Sequence, residues 1–139
     1  MEMASIDRIG GGRLVHATIQ GQPVVGLKAV RIGKDFVNYY VVPLEPRPQG
    51  PLHLVYFDYE AMLSDCNDHF RLQVGSTLDR GVPEVGDILV NPRGTFLKVQ
   101  EHMKDVTMFA YVDILNGEIR RHQERGVTGV FGWSVNSTP

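Results

Sequence analysis

The chain holds one cysteine, Cys66, so no disulfide can form within it and stability has to come from a packed core. Long apolar runs are lacking as well. The longest stretches free of Asp, Glu, Lys and Arg run from Leu14 to Leu27 and from Gly126 to Pro139. Both are interrupted by Gly, Gln, Thr or Pro well short of the roughly 20 apolar residues of a membrane helix, which predicts no bilayer span. Neither sign of charge is in surplus: 14 Lys and Arg stand against 16 Asp and Glu, a formal charge of -2. With no global positive field to draw in phosphate backbones, any affinity for nucleic acid needs a local patch. The opening MEMASIDRIGGG lacks the basic region and apolar stretch of a secretory signal, so the expected compartment is the cytoplasm.

What is present is an ordinary globular composition. Hydrophobic residues make up 42% and charged residues 22% of 139 positions, which excludes a purely disordered adaptor. One compact domain over residues 1–139 is expected, with a subdivision into an N-terminal antiparallel part (1–80) and a small β-barrel part (81–139). The boundary is placed at GSTLDRGVPEVG, residues Gly75 to Gly86, which has three glycines, one proline and few apolar side chains. The sequence shows no internal repeat.

Period-two alternation dominates and predicts a mainly β protein with one short helix. Arg13 to Ile19 and Val24 to Val30 flank Gln20-Gly21-Gln22-Pro23 and read as an antiparallel hairpin. Phe36 to Val42 is a third strand, expected to end at Pro43. Four prolines in the nine residues from Pro43 to Pro51 then predict an extended surface loop, either a stiff connector or a PxxP docking segment, the connector being preferred. Leu52 to Phe57 is another strand. After it, Asp58 resembles an N-cap, and Tyr59, Met62, Leu63, Cys66 and Phe70 fall at i, i+3, i+4, i+7 and i+11, the stripe of an amphipathic helix.

Beyond Gly86 five short runs follow: Asp87 to Asn91, Thr95 to Glu101, Val106 to Leu115, Glu118 to His122 and Val127 to Val135. Asn116-Gly117 is the strongest turn signal, because both positions of a type I′ turn need positive φ. Tight turns between short strands predict a five-stranded meander or a small SH3-like barrel.

Chemistry is thin. Cys66 with His69 would be a nucleophile pair, but the helical stripe turns the thiol into the core. Asp65-Cys66-Asn67-Asp68-His69 has Phe70 where a calcium loop needs Gly and no Glu at its twelfth position. His16, His53, His102 and His122 lack zinc spacing, so no metal and no cofactor is expected. Gly10-Gly11-Gly12 is followed by no GK[ST] and reads as a flexible lead-in. Trp133 is read as a core plug sharing the alternation of Phe131 and Val135, in preference to a ligand platform.

One cluster suggests recognition. Ten of the fourteen basic residues are Arg, a residue enriched at interfaces. Arg120, Arg121, His122 and Arg125 lie together beside the Asn116-Gly117 hairpin, and Arg93 occupies another loop that can join them. The reading is a non-enzymatic binding or adaptor protein that recognises a protein partner through loops and this edge, with Arg93, Arg120, His122 and Arg125 as binding residues. Two alternatives stand beside it: a nucleic-acid-binding small barrel, and a small hydrolase using the Asp58, Asp65, Asp68 and His69 cluster. No catalytic residue is assigned.

Overall fold

A computed structural model describes residues 2–139 and shows a mainly β protein built from two six-stranded sheets. In chain order the strands are β1 (Met3–Ser5), β2 (Leu14–Ile19), β3 (Gln22–Ile32), β4 (Val37–Glu45), β5 (Val55–Phe57), β6 (Met62–Asp65) and β7 (Phe70–Thr77). They continue with β8 (Ile88–Asn91), β9 (Gly94–Met103), β10 (Val106–Asp113), β11 (Ile119–Arg120) and β12 (Gly129–Ser137). The first sheet has the order β1-β6-β2-β3-β4-β5, the second β11-β10-β9-β8-β12-β7, and all the strand pairs are antiparallel.

Alternation along the strands sets which side chains meet. Leu27 and Ala29 of β3, Tyr40 and Val42 of β4, Leu97 and Val99 of β9, and Ala110 and Val112 of β10 belong to one buried cluster shared by the two sheets. The opposite face of the first sheet packs Val15, Val24, Val41 and Leu63 under Ile6 and Ile9. On the second sheet the outer face carries Leu89, Phe96 and Tyr111.

The β2–β3 hairpin forms, with a tighter turn than expected: Gln20 and Gly21 have φ of 51° and 78°, and Gln22 and Pro23 already pair within β3. Pro43 does not end β4. It lies beyond the last pair with β5 and opposite Gly26, where the β3 register shifts, and a bulge at a strand's unpaired flank tolerates a missing N–H.

The short helix is absent. Asp58 accepts a hydrogen bond from the Glu60 amide instead, Ala61 N–H closes the turn onto Asp58 O at 2.9 Å, and Met62–Asp65 forms β6. A strand wins here because β6 pairs with both β1 and β2, supplying partners to two backbones that a helix would leave unpaired. Cys66 to His69 then makes a tight turn, with Asp65 and Asn67 side chains accepting from the Asn67 and Leu14 amides at 3.0 Å each.

The C-terminal strands do form a meander, β8 to β11 lying side by side, but the barrel does not close. β12 returns to β8 and its other side is taken by β7, so β7 occupies the edge that closure would need. The Asn116-Gly117 turn is also wider than the two-residue hairpin expected. It is a four-residue loop between Asp113 and Glu118, with Gly117 N–H donating to Asp113 O at 2.7 Å and only Gly117 at positive φ, 73°. Asx-type hydrogen bonds from the Leu115 and Glu118 amides to Asp113 and Asn116 hold it.

This loop presses on the N-terminal glycines, correcting their reading as a flexible lead-in. A Cβ on Gly11 would lie 2.1 Å from Asn116 O, and one on Gly117 would lie 2.4 Å from Gly12 N. The approach lets Val30 N–H donate to Gly117 O at 2.8 Å, joining the two sheets through backbone.

Candidate functional site

Two segments of the second sheet's outer side come together at the end of β8. Asn91, buried at the strand terminus, donates through Nδ2 to Gln123 O at 2.7 Å and accepts the Arg93 amide at 2.8 Å. Gln123, also buried, donates through Nε2 to Arg121 O at 2.9 Å. Residues 91–93 and 122–126 are thereby tied side by side, and they border a cleft of about 630 Å3. Arg93, His122 and Arg125 are exposed around it. His122 has left the strand geometry, with φ of 59°, which turns it away from the alternation of β11.

The one carboxylate of the cleft, Glu124, is satisfied from within the protein. Lys98, 5% exposed, reaches it at 2.6 Å and also donates to Pro83 O at 2.9 Å. Tyr111 donates its hydroxyl to the same carboxylate oxygen. Burial, reinforced by that hydrogen bond and the negative charge, pushes the Tyr111 phenol well above its ordinary range, so it stays a donor. With Glu124 matched by Lys98, the two arginines of the lining are left uncompensated. Neither Arg93 nor Arg125 has an ion-pair partner among the described residues, whereas Arg13, Arg31, Arg80, Arg120 and Arg121 do.

Three of the four residues singled out from the sequence therefore share one cleft. Arg120 stands apart. It lies on the two-residue edge strand β11 and pairs with Glu118 at 2.6 Å, both side chains open to solvent.

A second ionic group joins the sheets, and sequence reasoning missed it. The inward rows Leu27-Ala29 of β3 and Leu97-Val99 of β9 are continued by Arg31 and Glu101. Glu101, 5% exposed, accepts from both terminal nitrogens of Arg31 at 2.5 and 2.6 Å and from Arg121 at 3.2 Å. The signal was present as a Glu at an inward position of an alternating run.

The acidic cluster around the expected helix is dispersed into structural roles. Asp65 pairs with Arg13 at 2.6 Å, and Asp58 caps a turn. Cys66 is buried although the helical stripe that placed it inward does not form and leaves Tyr59 and Met62 exposed, while His69 is exposed, and among the described residues no imidazole hydrogen-bonds the thiol. Burial pushes the Cys66 thiol up to about 11. Among the described residues no group of three or more His, Cys, Asp or Glu is placed to hold a metal ion, and no helix is long and apolar enough to cross a membrane.

The proline-rich segment lines a wider groove of about 1020 Å3. It is tied down where Arg47 lies over the Trp133 ring at 4.2 Å. Trp133 is half-buried, and its indole N–H donates to Gly86 O at 2.6 Å. No protein-family model matches the chain, and no curated protein or solved structure matches it either.

Proposed function

We propose that this is a non-enzymatic binding protein whose cleft between residues 91–93 and 122–126 takes an acidic segment of a protein partner. What supports the reading is the pairing pattern: Arg93 and Arg125 are exposed beside a cleft and lack counter-ions, while its own carboxylate is held by Lys98 and Tyr111. Arginine forks suit carboxylates bidentately, and the fixed Asn91–Gln123 contact beneath them keeps both segments in place without cost to the partner. Arg120, paired with Glu118, contributes little to this surface.

The test is fluorescence anisotropy with a labelled ten-residue Asp/Glu peptide. Arg93→Gln and Arg125→Gln are each expected to weaken binding by about three- to tenfold, the scale of one ordinary net hydrogen bond, since both arginines are solvent-exposed. Arg120→Gln is expected to leave it unchanged. Equal affinity for all three variants overturns the site. Tighter binding of a single-stranded oligonucleotide, falling steeply with salt, overturns the partner class.

A further inference from the structure

On the seam between the sheets, away from that cleft, lies a groove of about 460 Å3 with Arg31, Glu101 and Arg121 in its lining and Phe36, Tyr56 and His102 on its sides. Its size falls in the range of small-molecule sites, roughly 300–1,000 Å3. Two arginines against one glutamate leave an excess of one positive charge in the lining. That excess is concentrated on Arg121. Arg31 uses both terminal nitrogens on Glu101, and one of them also reaches the Tyr40 hydroxyl at 3.2 Å. Arg121 makes one long contact to Glu101, and its remaining partners are the thioether sulfurs of Met108 at 3.5 Å and Met103 at 3.6 Å. Sulfur is a weak acceptor, so Nη1 of Arg121 has no oxygen partner among the described residues.

The aromatic walls are built and held. Tyr56 is 60% exposed yet stands edge-on against the buried Tyr40 ring, 5.8 Å between centroids. Phe36, half-exposed, folds back over Gly33, where a Cβ would lie 2.1 Å from its ring. The turn beneath is closed by Gly33 N–H donating to Phe36 O at 2.8 Å. Two exposed rings and an under-satisfied guanidinium thus line the same groove, giving it apolar aromatic surface together with a cation.

We infer that this groove is a second binding site, for a small aromatic anion: a planar ring carrying a carboxylate or phosphate, with the anion on Arg121 and the ring between Phe36 and Tyr56. The anion replaces the sulfur contacts with charge-assisted hydrogen bonds, and the ring covers exposed aromatic surface. The site shares no residue with the acidic-partner cleft, so either can fail alone.

Phenyl phosphate and benzoate are the probes, titrated into labelled protein and followed by NMR at the Arg121 Nε–H and the Tyr56 ring. Saturable shifts at both are expected with each probe, and inorganic phosphate and phenol, each carrying half of the recognition, should bind at least about tenfold more weakly. Arg121→Gln should weaken phenyl phosphate by about tenfold and Gly33→Ala, which must displace the Phe36 ring, by about threefold, with Arg125→Gln unchanged. Absence of saturable shifts, or equal affinity in Arg121→Gln, overturns the site. Should that variant fail to fold, Tyr56→Ala decides: its ring is mostly exposed, and undiminished binding without it overturns the site equally.

Discussion

Replacing Glu101 by Gln isolates the ionic link between the sheets. Glu101 accepts three charge-assisted hydrogen bonds, two of them at 2.5 and 2.6 Å from a single arginine fork. Gln keeps the shape but turns one acceptor into a donor facing an arginine N–H, and it leaves two guanidinium groups without a counter-charge. Removing one partner of a buried pair costs about 3–5 kcal/mol. Arg31 retains some solvent access, its side chain being 19% exposed, which places the expected loss near the lower end, ~3 kcal/mol. The double replacement Arg31→Met with Glu101→Leu should recover most of it. Its side chains extend the inward rows Leu27-Ala29 and Leu97-Val99, and apolar substitutes for buried ion pairs are often neutral. Urea unfolding reads both numbers from the midpoint at constant slope. A loss below about 1 kcal/mol for Glu101→Gln, or a double variant as unstable as the single one, refutes the assignment of a buried, mutually dependent pair.

Further outcomes follow from single contacts. Gly117→Ala should cost ~3 kcal/mol or more, because positive φ is compounded by a Cβ 2.5 Å from Lys28 O; Gly21→Ala, with φ 78° and nothing within 4 Å, should cost only ~1 kcal/mol in the same urea assay. Cys66 should resist iodoacetamide in native protein and react once unfolded, and rapid native labelling would contradict its burial. Because its pKa rises on folding, from an ordinary 9.0 to about 11, its contribution to stability is complete below pH 9 and is lost as pH climbs through 11. Cys66→Ala should flatten that part of the stability profile, and an unchanged alkaline slope would assign it to other groups. Arg120→Ala should change stability by less than about 0.5 kcal/mol, as an exposed pair does.

Local chemistry was readable wherever two adjacent residues determine a conformation. The β2–β3 hairpin is the example: Gly21 marks its turn, although the structure tightens that turn to Gln20-Gly21 and takes Gln22 and Pro23 into β3. Where pairing partners decide, the reading failed. Tyr59 to Phe70 carries a helical stripe, but the unpaired edges of β1 and β2 draw Met62–Asp65 into a strand, and no property of those twelve residues announces it. Pro43 misled for the same reason, its tolerance depending on where β5 ends and β3 bulges. The Asn116-Gly117 loop is widened by its packing on Gly11 and Gly12, more than a hundred residues earlier.

The candidate cleft was half legible. Its basic residues are recognisable by type and local density, and Arg93 sits in a loop able to join them. What brings them together is a buried amide pair, Asn91 with Gln123, 32 residues apart, which neither segment reveals by itself. Arg120 and His122 would share a face only if the run Glu118 to His122 continued as a strand. β11 ends at Arg120, His122 turns to positive φ, and the arginine in between, Arg121, goes to Glu101.

Amide chemical-shift mapping during titration with the acidic peptide probes the cleft most directly. The expected result is a set of saturable shifts confined to residues 91–93 and 122–126, abolished when Arg93 and Arg125 are both Gln in a variant of unchanged melting temperature. Shifts located elsewhere, or persisting in that variant, would show that these unpaired arginines do not form the recognition surface.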